Sequence, residues 1–62
     1  MKIIESKIIK NGKYKLSTFQ DGIWFLCVND DVGTIIEVYY SLIDIKENID
    51  VDIMNYESGL KN

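Results

Sequence analysis

Sixty-two residues, with seven lysines against ten carboxylates and a formal charge of −3, leave room for one compact unit with a thin core. Histidine, arginine, proline and alanine are absent, and Cys27 is the only cysteine. That excludes an internal disulfide and histidine-based catalysis, and it argues against a zinc site contained in the chain. Eleven isoleucines make the chain too apolar and too evenly patterned for a disordered segment. Its apolar runs all fall well short of the ~18 residues of a membrane span, and Glu5, Ser6 and Lys7 interrupt any signal-peptide core. With no disulfide to staple so small a fold, a cytoplasmic location is expected. Charge is uneven: residues 1–15 carry a net +4 and the remainder a net −7, so a basic edge faces an acidic body.

Three strands open the chain, over 2–9, 13–20 and 23–28. Asn11-Gly12 and Asp21-Gly22 separate them, and both dipeptides favour hairpin turns. Three-residue loops, Lys10-Asn11-Gly12 and Gln20-Asp21-Gly22, give a consistent register. Ile8 then pairs with Tyr14, Ile4 with Thr18, Leu16 with Leu26 and Tyr14 with Val28. One face reads Ile4, Ile8, Tyr14, Leu16, Trp24, Leu26 and Val28 and is the expected core. The other carries Ile3, Ile9, Phe19, Ile23, Phe25 and Cys27 among Glu5, Lys7, Lys13, Lys15 and Ser17.

Two readings compete for the next segment. A helix from Thr34 to about Asn48 opens on Thr34-Ile35-Ile36-Glu37, a capping-box pattern, with polar residues at three-four spacing. Against it stand β-branched residues and two tyrosines, which favour a strand. Periodicity selects the helix, followed by a short fourth strand from Asp50 to Tyr56 and a frayed tail over 57–62. The expected fold is a single α+β domain spanning 1–62: a three-stranded antiparallel meander, one helix packed on one face and a short fourth strand. The alternative is a five-stranded all-β barrel.

Candidate chemistry is sparse. Asn29-Asp30-Asp31 with Gly33-Thr34 does not fit a calcium loop and reads as a strand-to-helix turn, its acids favoured by the helix dipole. Asp44, Glu47, Asp50 and Asp52 form an acidic patch, read as the wet side of an edge strand or as an imitation of nucleic-acid phosphate. Lys7, Lys10, Lys13 and Lys15 gather around the first hairpin and are the possible nucleic-acid contacts, although arginine is missing. Cys27, with no activating partner, reads as a small buried hydrophobe or part of an interface. Tyr39 and Tyr40 are adjacent, so at least one ring is left for a contact.

More apolar surface remains on the second sheet face than one helix can cover. Phe19, Ile23, Phe25 and Cys27, with Tyr39 and Tyr40, are therefore the expected protein interface. The function expected is that of a small non-enzymatic protein-binding protein, such as an inhibitor, an antitoxin-like protein or a phage accessory protein. Its partner would be a second copy, another protein, or both. Nucleic-acid binding through the lysine-bearing hairpin ranks below that, and no cofactor, metal, membrane or small-molecule substrate is expected.

Overall fold

The structure, a computed structural model, describes residues 3–20 and 22–59. Four strands, β1 (Glu5–Ile9), β2 (Tyr14–Gln20), β3 (Ile23–Val28) and β4 (Ile35–Tyr39), form one antiparallel sheet in chain order, and the helix α1 (Leu42–Glu57) follows. The fold is α+β. The sheet is open, with β1 and β4 at its edges, and no barrel forms among the described residues.

The expected register between β2 and β3 is present, with Leu16 opposite Leu26 and Tyr14 opposite Val28. The three-residue loop expected at Gln20-Asp21-Gly22 does not hold: Gln20 belongs to β2 and pairs with Ile23, and an irregularity between Thr18 and Gln20 takes up the extra residue at Phe19, with Gly22 in the left-handed region at φ +79°. Asp21, Lys2 and residues 60–62 lie outside the described residues.

The first hairpin differs from expectation by one residue. Its connection has four residues, because Ile9 rather than Ile8 pairs with Tyr14 and Glu5 rather than Ile4 pairs with Thr18. Lys10, Asn11 and Gly12 all take positive φ (54°, 57° and 87°), and Lys13 completes the turn by donating its N–H to the Lys10 carbonyl. A one-residue slip turns every side chain of a strand over. Ile4 and Ile8, expected in the core, are 64% and 58% exposed, while β1 turns Glu5, Lys7 and Ile9 toward the helix side.

The second correction concerns residues 34–56. Ile35, Ile36 and Val38 follow their β-branched preference and form β4, which satisfies its backbone against β3. Pairing passes from Glu37 opposite Leu26 to Ile35 opposite Cys27, so Ile36 is the extra residue of a bulge and is buried in the core. The helix starts at Ser41, not Thr34. The Ser41 hydroxyl accepts from the Asp44 N–H at 3.0 Å, and the Asp44 carboxylate accepts from the Tyr40 N–H at 3.3 Å. Asp50–Tyr56, expected as a strand, is the second half of this helix, with Ile45, Ile49 and Ile53 at four-residue spacing on its inner side.

The core therefore lies between one sheet face and α1: Tyr14, Leu16, Leu26, Ile36, Tyr39 and Ile53, flanked by Ile9, Trp24, Val28, Ile45 and Ile49. Two tyrosine hydroxyls pin the helix. Tyr39 donates to Asp52 Oδ2 and Tyr14 to Glu57 Oε2, each at 2.6 Å. No helix among the described residues is long and apolar enough to cross a membrane.

Candidate protein-contact surface

Strand alternation sorts the side chains of the sheet into two faces. With the helix occupying one, the other bears two rows running across all four strands. The first row is Ser6, Ser17, Phe25 and Val38, and the second is Ile8, Lys15, Cys27 and Ile35. Phe19 joins them at one end, its ring meeting Phe25 edge-on at a centroid distance of 5.3 Å. No described element packs over these rows.

The centre of this face is tight even without a cover. Ser17 is buried beneath its neighbours and its hydroxyl lies 3.1 Å from that of Ser6. Cys27 is buried too, and burial pushes its thiol pKa up, with the ammonium of Lys15 across the strand pulling the other way. A thiol held in its neutral form is a packing group, not a nucleophile. The periphery is open: Ile8 and Ile35, at opposite ends of the second row, are 58% and 57% exposed. The rows hold one charge, Lys15.

Of the residues expected at an interface, Phe19, Ile23, Phe25 and Cys27 do share this face. Tyr39 and Tyr40 do not join them as a pair. They end a strand and precede the helix; Tyr39 is 1% exposed on the core side, whereas Tyr40 is 70% exposed. Burial, then the hydrogen bond to Asp52, drives the Tyr39 phenol well above its ordinary pKa. Ile8, Ile35 and Val38 belong to the face and were not singled out from sequence. Ile8 was hidden by the slipped register and the other two by the helical reading of their segment.

The acidic patch does not form as a strand face. All four carboxylates are on α1, where Asp50 and Asp52 diverge by two helical steps, roughly 200°. Asp44 serves the helix N-terminus and also accepts from Asn48 Nδ2 at 2.8 Å, Asp50 pairs with Lys10 at 2.8 Å, and Asp52 accepts from Tyr39. Glu47 is exposed. The lysines are dispersed as well: Lys15 is on the open face, Lys7 on the helix side, Lys13 in the turn and Lys10 on Asp50. Asp30 belongs to a turn between two strands, not between strand and helix, and its carboxylate accepts from the N–H groups of Val32 and Gly33. No group of three or more potential metal ligands occurs among the described residues.

A cavity of about 340 Å³ lies on the helix side, lined by Glu5, Lys7, Leu16, Trp24, Leu42 and Ile45. It arises because α1 makes its close backbone approach to β4, at the far edge of the sheet from β1. No family model, curated protein or solved structure matches the chain.

Proposed function

We propose that this chain is a small, non-enzymatic protein-binding protein that acts by covering part of another protein with the open face of its sheet. The observation that carries this reading is the second cross-strand row, Ile8, Lys15, Cys27 and Ile35, an apolar band interrupted by one ammonium group. Such a band matches an apolar surface that carries a carboxylate. The apolar side chains supply affinity on losing water, and the charge pair fixes register and discriminates between partners. Face-to-face packing of two copies fits less well, because each Lys15 would be buried against rows that hold no carboxylate. Inhibitors, antitoxin-like proteins and phage accessory proteins act in this manner, and an unpaired buried thiol suits the cytoplasm.

The test is capture from the native host with wild-type protein beside two single variants, Ile35→Ser and Lys15→Glu. Both positions face out of the sheet, and retained far-UV circular dichroism establishes that each variant is folded. Stoichiometric capture by the wild type, weakened at least about tenfold by each substitution, supports the reading. Capture indifferent to both substitutions would place the contact elsewhere. The lysine-bearing hairpin would show itself differently, through nucleic-acid binding that collapses as salt rises.

A further inference from the structure

We infer that the outer edge of β1 is a self-complementary docking strand, which joins two copies of the chain through antiparallel β1–β1 pairing about a twofold axis at Ser6. It uses the edge of the sheet, shares only Ile8 with the partner reading, and leaves Lys15, Cys27 and Ile35 of the open face available in each copy.

Backbone alternation shows what the edge offers. The Asn29 N–H bonds the Lys13 carbonyl opposite it, so the odd-numbered residues of β2 direct their backbone groups at β3. Tyr14, Leu16 and Thr18 then direct theirs at β1, and the Thr18 carbonyl does accept from that side, from the Ile4 N–H at 2.8 Å. Their partners Ile9, Lys7 and Glu5 are thereby satisfied, and the N–H and C=O groups of Ser6 and Ile8 point away from the sheet. An edge of this kind is a template for another strand.

Charge then selects the occupant. With the axis at Ser6, Glu5 of each copy lies opposite Lys7 of the other, twice by symmetry. Ile4 takes no part in this pairing, since it precedes β1 and its N–H is already bound to the Thr18 carbonyl. Neighbouring registers are penalised: an axis at Glu5 opposes the two glutamates, and an axis at Lys7 opposes the two lysines. No ion pair or side-chain hydrogen bond to another described residue occupies Glu5 or Lys7, so both are available. The two Ser6 residues face each other across the axis and exchange the central hydrogen bonds. The result is an isologous dimer with a continuous eight-stranded sheet.

The experiment is sedimentation equilibrium on the full chain and on the variants Glu5→Lys and Lys7→Glu. The wild type is expected to dimerise reversibly, and each single reversal to weaken the dimer about tenfold or more, since two attractive pairs become repulsive. The double variant E5K/K7E regains wild-type association. An equimolar mixture of E5K and K7E forms a heterodimer, because every cross-strand pair is again complementary. Circular dichroism establishes that each variant is folded. A wild type that stays monomeric at millimolar concentration would overturn the inference. So would single reversals without effect, or a mixture that fails to associate.

Discussion

The Tyr39 hydroxyl donates to Asp52 Oδ2 over 2.6 Å, tying the last strand to the middle of the helix that follows it. The ring is almost fully buried and the carboxylate is half-buried, so the bond sits where water competes poorly. Tyr39→Phe should cost about 1–3 kcal/mol, because it leaves the carboxylate without its donor. Asp52→Asn keeps an acceptor in place and should cost less. Urea unfolding of the two variants side by side checks the order.

Tyr14 holds the other end of the helix. Its phenol is pushed up to about 12, first by the hydrogen bond to Glu57 and then by burial. An unfolded tyrosine titrates near 10. Because the folded value is the higher, the stabilisation is complete below about pH 10 and is lost as pH rises through about 12. Tyr39 is shifted in the same direction. Alkaline titration followed by tyrosinate absorbance and by circular dichroism should show these two phenols ionising above the ordinary tyrosine value, together with the loss of helix.

Ser41 starts the helix with a hydroxyl on the Asp44 N–H. Ser41→Ala should cost about 1 kcal/mol, while Ser41→Asp, which keeps an acceptor there, should be close to neutral. Thr34, by contrast, lies outside the helix, so Thr34→Ala should not reproduce the loss. Thermal unfolding of the three variants distinguishes them.

Leu26 and Ile8 make the corresponding comparison in the sheet. Leu26 has no exposed surface and touches the centre of the core, so Leu26→Ala should cost about 2–5 kcal/mol, enough to unfold much of so small a domain. Ile8→Thr, at an exposed edge position, should change the stability of the folded monomer by less than about 1 kcal/mol. Denaturant unfolding at dilute concentration, where association does not contribute, gives both values.

The strands up to Val28 were legible in the sequence because glycine dipeptides and alternation agree there, and the β2–β3 register followed from them. The strand β1 was not placed correctly, because it is an edge with isoleucines on both sides. Alternation alone does not say which side is inward, and the turn admits two non-glycine residues at positive φ. The segment after Gly33 was misread for a different reason. Polar spacing favoured one helix from Thr34, whereas the β-branched residues 35, 36 and 38 belong to a strand and the cap lies seven residues later at Ser41. Ser41 and Asp44 have capping-box spacing, with aspartate in place of glutamate, and that was the available signal. An apolar second face was expected from the count of apolar residues; Phe19, Ile23, Phe25 and Cys27 lie on it, whereas Ile9, expected beside them, packs against the core. Within the acidic patch, the pairing of Asp50 with Asp52 rested on a strand that does not form, and α1 turns the two apart.

The central claim is that one sheet face is covered by the helix and the other is left for a partner. The most direct measurement is solvent paramagnetic relaxation of side-chain resonances at dilute concentration. The account predicts strong broadening at Ile35, Ile8 and Lys15, and little at Leu26 and Ile53 on the helix side. Equal protection of Ile35 and Leu26 in the isolated monomer would contradict it, since the chain would then cover that face itself.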